Sequence, residues 1–304
     1  MFVPKPLFPG AHVALIAPSG PVPPERVEPA ACSVRELGLE PVIYKSCCSA
    51  RGYLAGDDEL RAADLNAAFA DPGIDGIFCI RGGYGAQRLM RRIDFGMIRQ
   101  HPKFFAGYSD VTALHIMLNQ ACGFVTYHTP MPSTELCFGV DAFTMDSLRG
   151  VLLGEPAGVL SNPADIPLQR LCGGRACGLL TGGNLSLVAS SLGTPYEIDT
   201  RGKILFLEDV DEEPYRIDRM LNQLKMAGKL EECAGILLGY WTNCEPKEPG
   251  RSLSMNQVIA DYIVAAGKPA LANLACGHSL PTLSLPLGGA AELDADRMRV
   301  IVTG

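Results

Sequence analysis

No stretch of the 304 residues is apolar for anything near the ~20 residues that a membrane-spanning helix needs. Met1 to Gly10 lacks the basic-then-apolar pattern of a signal peptide, so the expectation is a cytoplasmic chain with no membrane insertion. There is no basic surplus either. Lys and Arg number 26 against 33 Asp and Glu, a formal charge of −7, and nucleic-acid binders carry the opposite balance. The short basic stretch Arg88 to Arg92 falls in a helical pattern and reads as a solvated face. Only five histidines occur (His12, His101, His115, His128 and His278), no two at metal-ligand spacing, so no metal and no cofactor is expected. No Cys pair has CxxC spacing, which argues against a zinc ribbon or a thioredoxin-type site.

What the chain has is apolar residues, 47% of it, with 33 Gly and 23 Pro scattered between apolar runs as turns. That composition excludes disorder. The 11 cysteines, an odd number, read as free thiols of a reducing compartment; Cys79 in GIFCI and Cys276 after LANLA lie in apolar runs where Cys acts as a small hydrophobe. A Cys nucleophile has no motif around it.

The first half alternates strands and helices. Continuous apolar strands are expected at 12–18, 39–44, 73–80, 103–110 and 124–128. Helices are expected at Pro24 to Leu37, Asp57 to Phe69, 86–93 and 111–123. Apolar strands separated by helices imply a parallel sheet covered on both faces, with ligands bound beyond the C-terminal strand ends. Pro18-Ser19, Arg81–Gly85 and Gly107–Asp110 all fall at such ends. Residues 151–168, carrying Pro156, Pro163 and Pro167, read as a linker. Beyond it the chain is strand-rich, with strands expected at 201–209, 234–241, 268–275 and 298–303. Helices are expected from near Pro214, with Ile217, Met220, Leu221 and Leu224 on one face, and over Met255 to Ala266. The expected division is an α/β domain at 1–150, the linker, and a smaller β-rich domain at 169–304.

Few residues can carry chemistry. Ser109 follows strand FFAGY and precedes Asp110 and an apolar helix, a junction that presents a hydroxyl at the sheet edge near helix amides. It resembles a nucleophile elbow without the second glycine of GxSxG, and a plain helix N-cap accounts for the same residues. RGGYG at 81–85 brings backbone amides close to a ligand and offers Arg81 to an anion; a tight strand-to-helix turn is the plainer reading. Glu208 ends the strand KILFLE. Alternation puts it with Ile204 and Phe206, and Asp209 with Leu205 and Leu207 on the other face. His278 follows Cys276-Gly277 at a strand end, where it suits a loop-borne base or a structural role. The order Ser, Glu, His is one known hydrolase order, and order is irrelevant to geometry.

The succession RGGYG, AGYSDVTAL, LFLEDVDEEPYRIDRML and CGHS resembles the LD-carboxypeptidases, serine peptidases that include murein tetrapeptide carboxypeptidase. The resemblance runs over nearly the whole chain from VALIAPSG. It implies a parallel-sheet, flavodoxin-like N-terminal domain, a smaller β-rich C-terminal domain, a site in the groove between them, and often a homodimer. It implies Ser109 as nucleophile, His278 as general base and Glu208 as the residue that orients His278. The amide of Asp110 and one from Gly82–Gly85, with Gly83 the choice, would form the oxyanion hole. Arg81 would meet the D-Ala carboxylate, and Tyr84 and Ser19 would join it in binding substrate. The reaction implied is release of terminal D-Ala from a muropeptide tetrapeptide. One departure is His128-Thr129-Pro130, where a glycine is expected between His and Pro. The family also holds enzymes that cleave aminoacyl-nucleotide antibiotics, and a non-catalytic α/β binder remains the reading from another class. Trp241, the single Trp, follows strand GILLGY and suits a buried or interface position better than a ligand stack.

Overall fold

The computed structural model describes residues 1–154 and 158–303. These fall into two compact units: residues 1–154 with Ser284–Gly288, and residues 158–283 with 289–303.

The first unit is built on β1 (His12–Ile16), β2 (Glu40–Ile43), β3 (Gly76–Cys79), β4 (Phe104–Gly107) and β5 (Thr126–His128), all parallel, in spatial order β2-β1-β3-β4-β5. That is the flavodoxin-like order, whose loops gather at the C-terminal strand ends. A sixth strand, Leu285–Leu287, closes the sheet antiparallel to β5. The connecting helices are α1 (Pro24–Glu36), α2 (Asp58–Ala70), α3 (Phe95–Gln100), α4 (Thr112–Met117) and α5 (Ala142–Leu152). Alternation sends adjacent aromatics to opposite faces. Phe104 stacks on Tyr127, with centroids 4.3 Å apart, while Phe105 stacks on Phe69 of α2 at 5.9 Å. β3, β4 and β5 are buried on both faces, as is β1 from Val13 on, which is why they read as unbroken apolar runs, while the edge strand β2 stays largely exposed.

The second unit carries β6 (Val159–Leu160), β7 (Gln169–Cys172), β8 (Arg175–Asn184), β9 (Ile204–Val210), β10 (Gly235–Thr242), β11 (Ala270–Ala272), β13 (Ala290–Asp294) and β14 (Arg299–Thr303); Leu285–Leu287 of the first unit is β12. Its sheet runs β6-β14-β13-β8-β9-β10-β11-β7. The four central strands, β8 to β11, are parallel, and helices α6 (Leu185–Ser190), α7 (Pro214–Met226), α8 (Lys229–Glu232) and α9 (Met255–Ile259) lie in the crossovers. The second half is thus an α/β layer with antiparallel margins.

Several local expectations change. Residues 86–93 form a 3₁₀ turn at Ala86–Leu89, and the α-helix follows at α3. The stretch 151–168 is not wholly a linker. α5 reaches Leu152, and β6 pairs with β14, while residues 155–157 lie outside the described residues. Met255 to Ala266 divides into α9 and a π-helical turn, Ala260–Val264. The strand expected at 268–275 shortens to β11. All eleven cysteines are free, and Cys79 and Cys276 are fully buried. No helix among the described residues is long and apolar enough to cross a membrane.

Candidate active site

In the first unit, β1, β3 and β4 each end in a loop of interest. After β4 the chain turns at Ser109, whose φ is +65°, and enters a 3₁₀ turn and then α4. A non-glycine residue in this region costs ~1–3 kcal/mol and persists only where its surroundings impose it. The cap position of the turn belongs to Tyr108, so Ser109 sits one residue inside it, unlike a plain N-cap. Gly107, two residues earlier, packs its Cα toward Cys79 of β3. A Cβ there would stand 2.9 Å from the Cys79 Cβ. Its carbonyl accepts from His115 Nε2 at 2.8 Å, which leaves Nδ1 of that ring to accept from the Thr126 hydroxyl at 2.9 Å. Burial pulls the His115 pKa down to about 4, so the ring is neutral.

The loop after β3 presses on Ser109. A Cβ on Gly82 would lie 2.9 Å from Ser109 Cβ and 3.1 Å from its Oγ, so only glycine lets backbone approach the hydroxyl. The Gly82 carbonyl accepts from Gly20 N–H at 3.1 Å. In a trans peptide this turns the Gly83 N–H away from Gly20. The Arg81 guanidinium donates to the Pro21 carbonyl at 2.7 Å, its Nε is buried without a partner, and among the described residues no carboxylate pairs with it. Burial, and then Arg26, pull its pKa down. Tyr84 is 51% exposed and meets Tyr53 edge-on, centroids 5.7 Å apart.

Ser19 departs from its expected role. It is fully buried, and its hydroxyl donates to Asp110 Oδ2 at 2.6 Å, so it braces the loop where a substrate contact was expected. The same oxygen accepts from Ala86 N–H at 2.7 Å. Burial raises the Asp110 pKa, opposed by these donors, the Gly85 amide and Arg61. Arg61 is a residue the sequence reading passed over. It lies on the buried side of α2 with Leu65 and Ala68, and its Nη1 donates to the carbonyls of Pro18 and Gly85 while Nη2 pairs with Asp58. An arginine in line with an apolar stripe was the available signal.

In the second unit, Glu208 is fully buried near the end of β9, and its Oε2 lies 2.6 Å from His278 Nδ1. Burial pushes its carboxyl above the usual range, and the His278 contact opposes this. Gly277 makes the approach feasible. Its φ is +133°, and a Cβ would stand 2.9 Å from Glu208 Oε2. The loop carrying His278 is fastened on both sides. Tyr240 N–H donates to the Cys276 carbonyl at 2.9 Å, Tyr240 OH to the Pro281 carbonyl at 3.0 Å, and Thr242 and Ser279 hydroxyls meet at 2.7 Å. β10 bulges opposite Glu208, between Leu238 and Trp241, and β9 itself stays in register with β8. Asp209 accepts from Asn184 Nδ2 (2.8 Å) and from the amide and hydroxyl of Ser186 (2.9 and 2.8 Å), at the start of α6. A carboxylate bound to Nδ1 fixes the imidazole lone pair on Nε2, the arrangement of a general base. No group of three His, Cys, Asp or Glu among the described residues is arranged to hold a metal ion.

The two-unit α/β fold carries a serine on a positive-φ strand-to-helix turn in its flavodoxin-like unit and a carboxylate-bound histidine in its other α/β unit. Residues 13–129 match the LD-carboxypeptidase N-terminal domain model and residues 177–293 the LD-carboxypeptidase C-terminal domain model. The chain is 45% identical over 304 residues to a probable murein peptide carboxypeptidase of Bacillus subtilis (strain 168), covering 100% of this chain and 95% of that protein. The protein therefore belongs to the LD-carboxypeptidase family. Among solved structures, muramoyltetrapeptide carboxypeptidase from Oxalobacter formigenes superposes with a TM-score of 0.83 at 29% identity, covering 96% of this chain and 98% of that one. The microcin C7 self immunity protein MccF in its apo state shares the fold, with a TM-score of 0.90 at 22% identity, covering 100% and 99%.

Proposed function

We propose that the protein is a serine carboxypeptidase that releases terminal D-Ala from muropeptide tetrapeptides, cutting the bond between the L-centre of a diamino acid and D-Ala. The observation that carries this is the buried Glu208 holding His278 Nδ1 at 2.6 Å in a chain of this family. A buried carboxylate on Nδ1 is the arrangement that leaves Nε2 free to act as a base, which favours catalysis over binding alone.

In this reading His278 Nε2 takes the Ser109 proton as Oγ attacks the carbonyl carbon. The Asp110 and Gly83 amides receive the oxyanion; losing one such donor typically lowers the rate ~10²–10³-fold. Collapse breaks the C–N bond, and His278 protonates the leaving D-Ala amine. Water, deprotonated by His278, then releases the acyl group and returns the proton to Ser109. Glu208 stays ionised and stabilises the imidazolium formed in both steps. Arg81, a part-buried cation with no carboxylate partner among the described residues, suits the D-Ala carboxylate, and exposed Tyr84 suits the peptide stem. The reading requires the Ser109 hydroxyl and His278 Nε2 to meet during turnover. It places the protein in the cytoplasm as a homodimer in wall-peptide recycling or remodelling.

The test is mass spectrometry of defined tetrapeptides, with lysine or diaminopimelate at the third position, incubated with wild type and Ser109→Ala. Wild type should release D-Ala, and Ser109→Ala should not, with the fold unchanged. An aminoacyl-sulfamoyl nucleoside forms a parallel arm. Its cleavage with intact tetrapeptides would move the protein to the antibiotic-hydrolysing branch, and no turnover of any arm would leave a binding protein.

A further inference from the structure

Gly82, Gly83 and Gly85 bring no side chain to pack at the positions nearest Ser109, yet an oxyanion donor has to be held within about 0.5 Å of its working position. At those glycines, hydrogen bonds must do the holding. The hydrogen bonds around it close into a ring. Asp110 Oδ2 accepts from the Ser19 hydroxyl at 2.6 Å; the next residue, Gly20, donates its N–H to the Gly82 carbonyl at 3.1 Å; the chain runs on to Gly85; and Ala86 N–H donates back to Asp110 Oδ2 at 2.7 Å. The ring therefore joins the ends of β1, β3 and β4, and it begins and ends on the residue next to Ser109. Gly83 is wedged against Gly20, where a Cβ would sit 3.2 Å from the Gly20 N and Cα. Arg61, gripping the Pro18 and Gly85 carbonyls from α2, fixes the same two loops from outside the ring.

We infer that the Asp110 carboxylate, through the Ser19 hydroxyl and the Ala86 amide, is the positioning element that sets the glycine loop against Ser109. The inference deepens the serine-carboxypeptidase reading and rests on it. The backbone amide and the side chain of Asp110 then do separate work: the amide meets the oxyanion, and the carboxylate aligns the second donor. Asp110 is 1% exposed, and Ser19 and Ala86, which donate to its carboxylate, are fully buried, so the carboxylate faces the loops it joins. Burial raises its pKa, and the hydrogen bonds from Ser19, Ala86 and Gly85 oppose that rise.

The experiment is steady-state kinetics of D-Ala release for wild type, Ser109→Ala, Ser19→Ala, Ser19→Cys, Asp110→Asn and Ser19→Ala/Asp110→Asn, each with a melting curve. Misaligning one donor should lower kcat about 10- to 100-fold, short of the ~10²–10³-fold seen on deleting a donor outright, with KM within about threefold of wild type. Ser19→Cys, which keeps the size and a weak donor, should fall between serine and alanine. The double variant should lose less than the product of the single losses, because both residues act through one ring. A buried carboxylate that served stability alone would lower the melting temperature and leave kcat intact; that result, a loss confined to KM, or multiplicative losses in the double variant, overturns the inference. If Asp110→Asn does not fold, the Ser19 series decides by its rank order. Absence of release by wild type, or release by Ser109→Ala, fails the underlying reading instead, so the two failures are distinct.

Discussion

Replacing Glu208 with glutamine leaves the side-chain volume almost unchanged and deletes the charge. The site makes this a demanding substitution. Glu208 is fully buried, Oε2 meets His278 Nδ1 at 2.6 Å, and Oε1 is buried with no hydrogen-bond partner among the described residues. The new amide nitrogen must take one of those two places. At Oε1 it is a buried donor without an acceptor, a penalty of ~1–3 kcal/mol. At Oε2 it donates to Nδ1, and the imidazole proton moves to Nε2, where a base needs its lone pair. The second orientation is favoured, and it inverts the tautomer. By analogy with carboxylate loss in other triads, kcat should fall on the order of 10²–10⁴-fold. That is about 3–5 kcal/mol in the barrier. Stability should move the other way or not at all, since burial disfavours the ionised carboxyl and a neutral group lifts that penalty. The assay is D-Ala release at saturating tetrapeptide together with a calorimetric Tm. A Glu208→Gln protein that keeps more than a tenth of wild-type kcat refutes the orienting role; one that loses kcat only by unfolding refutes the structural argument.

Ser109→Gly should abolish D-Ala release with Tm no lower than wild type, because glycine accepts φ +65° freely, whereas Ser109→Val should lose both activity and ~1–3 kcal/mol of stability; equal melting temperatures for the two variants contradict the strained turn. Asp209→Asn should lower stability by ~1.5–3 kcal/mol through its bonds to Asn184 and Ser186 while kcat stays within tenfold; a kcat loss equal to that of Glu208→Gln would show that the wrong acid has been assigned. His115 holds its proton less tightly folded, with a pKa of about 4, than unfolded, at ~6.5. Its contribution to stability is therefore present above pH ~6.5 and is lost as pH falls toward 4, about 3 kcal/mol in all. Urea titrations at pH 7 and pH 4 should show His115→Gln losing less stability on acidification than wild type, and equal losses would remove His115 from the acid response.

The parallel sheet of the first unit was legible because β1, β3 and β4 are buried on both faces, so Val13, Leu15, Phe78 and Phe104 stand in unbroken apolar runs. The residues proposed for the chemistry were legible as motifs, Ser109 and Glu208 at strand ends and His278 after a glycine. β8 was not. Its sequence RACGLLTGGN carries three glycines and a threonine, and it owes its strand conformation to pairing with β9 and β13. Leu285–Leu287 has no local signal either, since three residues with a central proline become a strand only against β5. Arg61 and the Asp110 carboxylate escaped because the partners that make them part of the site, the Pro18 and Gly85 carbonyls, the Ser19 hydroxyl and the Ala86 amide, lie far along the chain. Asp209 was placed by alternation on the face opposite Glu208, but alternation could not disclose that Asn184 and Ser186 wait there.

The sixth strand of the first unit sets a condition on biosynthesis. Leu285–Leu287 seals the edge of β5, yet these residues emerge from the ribosome only after the whole of residues 158–283. Until then the Thr126–His128 edge offers unpaired amides and carbonyls to any strand that passes, the usual route to edge-to-edge aggregation. The N-terminal half cannot complete its sheet as a free-standing nascent domain, so its last stage of folding is post-translational in all but name. A fragment cut at residue 154 inherits the open edge permanently.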